Sequence, residues 1–267
     1  MAILTISREF GSGGREIGQA IARDLGYDYV DKSKILNDLQ SMGKNWEKWG
    51  ESMDEHCPTI WEKYDWSFRG FGALIQSTLL NYAMKDRVVL MGRGANFILE
   101  GISSAYRIHV VAPVADCIAK IMVRDSVDRE TAIWLKEKTD RDRNCFTYSL
   151  YGKRWDNPEE YDDVINTAEQ SIDDIVAGTK EILHQMDQQQ NESVRKEVKM
   201  RAAAAKVKAG LLTDQSIFIP TLEIFYDGSS IVVKGIIHNP KEQKKIETKA
   251  VSLAGNYPLR CDLHYRG

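Results

Sequence analysis

The chain has no run of apolar residues approaching the roughly 18 that a membrane-spanning helix needs. Its start shows no basic segment, apolar stretch and small-residue cleavage site in series, so no secretory leader is expected. Cysteine and histidine are scarce, with four and five copies in 267 residues. Cys57, Cys117, Cys145 and Cys261 lie far apart without a CxxC pair. They read as reduced thiols rather than a disulfide framework or a zinc site. The scattered histidines give no metal held by side chains alone. A cytoplasmic protein without a membrane span or resident metal is the expectation. Charge of one sign is also lacking: 36 Lys/Arg face 39 Asp/Glu, for a net −3. The balance is uneven, because residues 187–267 hold 13 Lys/Arg against 9 Asp/Glu and the preceding part 23 against 30. A basic tail suits either an anionic partner or a solvated helix face; no nucleic-acid partner is expected.

What is present is an alternation of short apolar runs and amphipathic stretches. Ile3–Ile6 reads as a buried strand. Glu16 to Leu25 places Ile17, Ala20, Ile21 and Leu25 on one helical face with Gly26 as the stop. "YDYVD" follows as a second strand, and strand, helix and strand in 30 residues imply a parallel sheet. Residues 34–66 read as a helical insertion. A helix phased on Phe71, Leu74, Ile75, Thr78, Leu79 and Tyr82 leads into the strand "RVVLMG". "YRIHVVAP", a helix around Cys117–Val123, a charged helix over Arg129–Arg143, the strand "YDDVIN" and a helix over Ile172–Met186 complete an α/β domain of about five parallel strands. "QMDQQQNES" reads as a linker, giving a first domain over 1–186, a linker over 187–193 and a second domain over 194–267. The second follows an αββαβ order with a hairpin signal at Asp227–Gly228. Residues 1–186 are expected to fold without it.

"FGSGGR" stands directly after a strand and before a helix. Glycines there let backbone N–H groups close around an anion at a helix N-terminus. The other reading is a plain glycine-rich turn.

"REFGSGGREIGQAIARDLGYDYVD" resembles, without a gap, the opening of bacterial cytidylate kinases. "VVLMGRGANFI", "DRDRN" and "YDDVINTAEQSIDDIV" are similar to that family's strand ending in Gly-Arg-Asp, its lid arginines, and its last strand and helix. The divergent cytidylate-kinase-like family, with its "SREFGSGGREIG" opening and "GKRWDNPEEYD" segment, fits better still. The resemblance covers about residues 1–186 and implies a P-loop nucleoside monophosphate kinase fold, with ATP and Mg²⁺ as cofactors and nucleotides as substrates. It implies that Gly11, Ser12, Gly13, Gly14 and Arg15 cradle the donor phosphates. Arg93 would hold the acceptor phosphate, with Asp31 and Asn96 beside the acceptor nucleotide. Arg15, Arg141 and Arg143 would stabilise the transferring group.

The departures are specific. Gly14 stands where the family has the loop lysine, and Arg15 where it has the metal-binding hydroxyl residue. Arg15 or Arg8 could reach the phosphates instead, since guanidinium is a good phosphate ligand. Gly94 replaces the acceptor-contacting aspartate, and Cys145 replaces a third lid arginine. A dense DRDR run is also what an exposed, salt-bridged helix face looks like. Two functions follow: phosphoryl transfer from ATP to a CMP-like or other small phosphorylated acceptor, or a nucleotide-binding regulatory protein that has lost turnover. The tail is similar to the small BON-type binding module, which implies a place for a protein partner or a second copy of the chain.

Overall fold

The structure is a computed structural model that describes residues 1–41, 57–189 and 192–266. The first apolar run forms β1 (Ile3–Arg8), buried through Ser7, as a strand covered on both faces of a parallel sheet must be. It passes through the glycine loop into α1 (Gly14–Leu25), which ends where the left-handed Gly26 returns its amide to the carbonyls of Ala22 and Arg23. There follow β2 (Asp28–Val30), α2 (Lys32–Ser41), α3 (Ile60–Tyr64), α4 (Trp66–Lys85), β3 (Val88–Met91), α5 (Ala95–Ile98), β4 (Ala105–Val111) and α6 (Val114–Asp125). Next come α7 (Arg129–Tyr151), a 3-10 turn (Pro158–Glu160), β5 (Asp163–Asn166) and α8 (Ile172–Gln188). The last elements are α9 (Glu192–Leu212), β6 (Thr221–Tyr226), β7 (Ile231–Ile237), α10 (Pro240–Ala254) and β8 (Leu259–Tyr265). Most of the insertion expected over 34–66 lies outside the described residues; α2 and α3 flank it.

Five parallel strands run in the order β2-β3-β1-β4-β5. Ile6 pairs with Met91 of β3 and Ile108 of β4, so the ends of β1 and β3 open at one edge. β1 sits where the strand order reverses, the place where open α/β sheets hold ligands. Leu4, Ile6, Ile17, Ile21, Val89, Met91, Ile108, Val110, Ile175 and Leu183 form the core beneath it. The charged run after Asp128 is a helix: Asp128 caps it by accepting from the Thr131 amide at 2.7 Å, and Lys136–Asp140 and Lys138–Asp142 pair one turn apart.

The smaller sheet has the order β6-β7-β8, with β6 and β7 antiparallel and β7 and β8 parallel across α10. The hairpin turns at Asp227, whose carboxylate accepts from the amides of Ser229 and Ser230 at 2.9 and 2.8 Å. The αββαβ order is therefore that of the sequence reading.

The contacts divide the chain into one unit of Met1–Trp61 with Lys85–Asn191 and another of Glu62–Met84 with Glu192–Gly267. Nearly all of α4 thus stands with the C-terminal segment, though it precedes β3 in the chain. Trp66 stacks on Phe218 at 6.1 Å, and Arg69 donates to the carbonyls of Ile219 and Pro220 at 3.4 and 3.0 Å. Helical phase shows which residues of α4 are buried but not what buries them.

One expectation needs correction. Cys57 and Cys145 form a disulfide, with Cα atoms 4.9 Å apart. Their separation of 88 residues gave no spacing to read; α7 brings them together. Cys117 and Cys261 are free. Among the described residues no helix is long and apolar enough to cross a membrane.

Candidate active site

Gly13, in the left-handed region, caps α1. The amides of Gly14, Arg15 and Glu16 then point outward without an intrahelical acceptor, where the helix dipole favours an anion. Ser12 is fully buried and fixes the loop. Its hydroxyl donates to the Glu9 carbonyl at 2.9 Å, and its own carbonyl accepts from Thr167 at 2.9 Å. Over the loop lies a cavity of about 600 Å³, whose lining includes Arg8, Arg15, Lys120, Arg124 and Arg143, with Glu16 as the carboxylate. Lys120 Nζ lies 3.5 Å from where a Cβ on Gly13 would sit. Two cations of α6 thus line the cavity over the loop. Reading the sequence missed Lys120 and Arg124. The signal was there, because two cations four apart on the helix after a parallel strand share one face.

Arg8 runs between the two glycine motifs. A Cβ on Gly14 would lie 2.6 Å from Arg8 Cβ, and one on Gly92 would lie 2.6 Å from its Nη1. Both positions must be glycine for this side chain to stretch from the loop to the end of β3. The sequence had named Arg8 only as one of two guanidinium groups that could substitute for the lysine.

At that end Gly92, Arg93 and Gly94 have φ of 72°, 61° and 72°. Left-handed backbone is uncommon for an arginine, and here it turns Arg93 inward, buried, with its guanidinium 6.0 Å from the centre of the Phe146 ring. The Tyr151 hydroxyl donates to the Arg93 carbonyl at 2.8 Å. Its ring fills the space of a side chain at position 94, where a Cβ would come within 2.1 Å. The absence of an aspartate at Gly94 therefore has a steric cause. Asn96 is buried at the same corner, its carbonyl accepting from Ser7 at 3.5 Å and its amide donating to the Glu160 carbonyl at 3.5 Å.

Helix α7 is tied to the loop through Asp140. That carboxylate accepts from the Phe10 amide at 2.9 Å, from Lys136 at 3.0 Å and from Arg143 at 3.3 Å. Burial opposes the charge of Lys136, but its hydrogen bond to Asp140 and the charges of Asp140 and Glu9 outweigh this and raise its pKa. Arg143 is buried, donates to the Arg8 carbonyl at 2.9 Å and lies 5.7 Å from the Phe10 ring. Arg124 stands 4.5 Å over the same ring, its pKa raised by hydrogen bonds to Asp125. Arg141, two residues from Arg143 on the helix, is exposed and is not in the cavity lining. At the rim, Arg15 Nη2 lies 3.9 Å from Asp31, whose carboxylate also accepts from the Lys34 amide at 3.2 Å to begin α2.

His109 at the end of β4 was not singled out in the sequence. It is buried against Trp155 and Tyr161, with ring centres 5.0 and 4.7 Å away. Nε2 has no hydrogen-bond partner among the described residues. Burial pushes its pKa down to about 4, so the ring is neutral near pH 7. Trp155 and Tyr161 come from the "GKRWDNPEEYD" segment, which thereby packs against β4. Burial likewise pushes the Cys117 thiol up to about 11, which makes it a packing group and not a nucleophile.

Among solved structures, the chain is similar to an uncharacterized protein from Eubacterium ventriosum ATCC 27560, at 18% identity and a TM-score of 0.54 over 69% of this chain and 99% of that one. Shikimate kinase from Bacteroides thetaiotaomicron aligns at 12% identity and a TM-score of 0.41, over 68% and 98% of the two chains. Shikimate kinase from Acinetobacter baumannii in complex with shikimate aligns at 16% and 0.36, over 69% and 94%. The first likeness is one of fold, and the other two add nothing to it. No curated protein matches the chain. The cytidylate kinase-like family matches residues 3–169, a span that holds the glycine loop, Arg8, the Gly92–Gly94 corner and the whole of α7. The chain belongs to the cytidylate kinase-like family.

Proposed function

We propose that this chain transfers the γ-phosphoryl group of ATP to a small phosphorylated acceptor, CMP or a compound of its kind. The observation that carries this reading is the continuity of positive charge from the loop cavity through Arg8 to Arg93. Phosphoryl transfer asks mainly for positioning and charge compensation. In this reading the α1 amides and Lys120 hold the donor phosphates, and Arg93 holds the acceptor phosphate. Arg8, between the two, meets the group in transit. Arg143 keeps Arg8 in place through its carbonyl and adds charge at the cavity wall. Arg15 acts from the rim, with Asp31 beside it. The bond from the γ-phosphorus to the bridging oxygen breaks, ADP leaves with that oxygen, and an acceptor oxygen takes the phosphoryl group.

Ser12, the hydroxyl nearest the loop, is turned to the Glu9 carbonyl. Among the described residues no group of three His, Cys, Asp or Glu is placed to hold an ion. In this reading magnesium enters with the donor substrate, on the phosphates of ATP.

The test is a panel of nucleoside mono- and diphosphates and other small phosphorylated compounds, each offered with Mg·ATP, with ADP formation and nucleotide binding measured in parallel. Acceptor-dependent ADP release from one or a few compounds is expected. A protein that binds ATP and phosphorylates nothing in the panel would instead be a nucleotide sensor.

A further inference from the structure

The C-terminal unit contains a second cavity, of about 650 Å³. Its floor is one face of α9, where Ser193, Glu197, Arg201, Ala204 and Lys208 recur at helical spacing. Gln76 and Leu80, one turn apart on α4, form one wall, and Ile224 and Phe225 of β6 form another. The size is in the range of small-molecule sites, which are mostly apolar with a few placed polar groups.

The placed group here is Lys208. Its ammonium donates to Gln76 Oε1 at 3.3 Å. Among the described residues no carboxylate lies within ion-pair distance of it. Glu197, the acid in the lining, is taken by Arg201 at 2.6 Å. Burial lowers the Lys208 pKa, the nearby Arg69 lowers it further, and Glu223 offsets this only from a distance. With Lys196 also in the lining, the cavity carries net positive charge. Lys208 is half-buried; partial burial of a cation without a paired carboxylate is costly, and an anion arriving in this cavity would offset that cost.

We propose that the cavity binds a small anion carried on an apolar or aromatic body. Its carboxylate, sulfonate or phosphate pairs with Lys208, and its body packs on Leu80, Ala204, Ile224 and Phe225. The site is independent of the phosphoryl-transfer reading, since every residue in it belongs to the C-terminal unit.

The probe is 1-anilinonaphthalene-8-sulfonate, titrated by fluorescence into the full-length protein. Binding should saturate, weaken at least tenfold in Lys208→Met, and stay within about threefold of wild type in Lys208→Arg, which keeps the charge. Ala204→Trp, which fills the cavity, should abolish it. Circular dichroism melts establish that each variant is folded, and should Lys208→Met fail to fold, Lys208→Arg and Ala204→Trp still decide the matter. Phenyl phosphate should displace the probe and inorganic phosphate should not. Unchanged probe binding in Ala204→Trp, or equal displacement by inorganic phosphate, would overturn the proposal.

Discussion

The cavity over the glycine loop and the cavity in the C-terminal unit are close in size, about 600 and 650 Å³, yet they are built in opposite ways. The first begins with backbone: a contiguous stretch turns its amides outward, and several cations on neighbouring helices add charge around them. The second offers no glycine loop. It sets Lys208, with Lys196 and the Arg201–Glu197 pair, among walls drawn from a helix, a second helix far away in sequence, and a strand. A polyphosphate keeps much of its charge near water, so several cations, most of them partly exposed, suit it. A half-buried cation without a paired carboxylate, beside apolar side chains, suits a ligand with a single charge and an apolar remainder, because both parts lose water together. The two cavities thus differ in the number of their charges and in how those charges are set, and the two proposed ligands differ in the same way.

The largest effect expected is from cutting the chain before Glu192. This removes the helix and strands that α4 packs with, so the truncated protein should lose its cooperative unfolding transition. A sharp calorimetric transition for the shortened chain would show that the first unit stands alone.

Next, Arg8→Ala should lower turnover by about 10³-fold or more, as loss of a transition-state arginine does, with ATP affinity changed far less. Binding of the naphthalene sulfonate in the other cavity should be untouched. Arg93→Ala should instead raise the acceptor KM first, since it removes a contact made in the ground state. Equal kinetics for Arg8→Ala and the parent would remove Arg8 from the site.

Reducing the Cys57–Cys145 bond should destabilise the loop unit by roughly 2–4 kcal/mol, the usual range for a native disulfide. Chemical denaturation with and without dithiothreitol measures this. Cys145→Ser should abolish the difference, and Lys208-dependent probe binding should not respond to reductant.

Acid should also act on the loop unit. The His109 pKa is pushed below its ordinary 6.5 to about 4, so the unfolded chain binds a proton there before the folded one does. The stability that its neutral burial confers is complete above pH 6.5 and lost as pH falls toward 4, by about 2 kcal/mol at pH 5. Urea midpoints at pH 7 and pH 5 should differ by less in His109→Phe than in wild type; equal differences would mean the ring titrates normally. The smallest effect is reserved for Arg141→Ala. An exposed substitution away from the cavity should change turnover by no more than about twofold, the scale of 0.5 kcal/mol.

The sequence alone determined what depends on neighbours in the chain. Strand, glycine turn and helix over Ile3–Leu25, the alternation that makes five parallel strands, and the Asp227–Gly228 hairpin are local matters of period and turn chemistry, and all are in the structure. Gly11, Gly13 and Arg15 could be assigned to a loop cavity because the loop is continuous. Tertiary structure decided the rest. Lys120 lies 107 residues from Gly13 yet hangs over it, since α6 returns across the edge of the sheet. Tyr151 explains Gly94 only because α7 ends against the β3 corner. Helical phase separates Arg141 from Arg143, but only packing says which of the two faces the loop. Cys57 meets Cys145, α4 joins the C-terminal unit, and Lys208 meets Gln76 through contacts between segments far apart in the chain. A spacing in sequence carries no distance once the chain has turned back on itself, and charge, burial and steric exclusion act through distance.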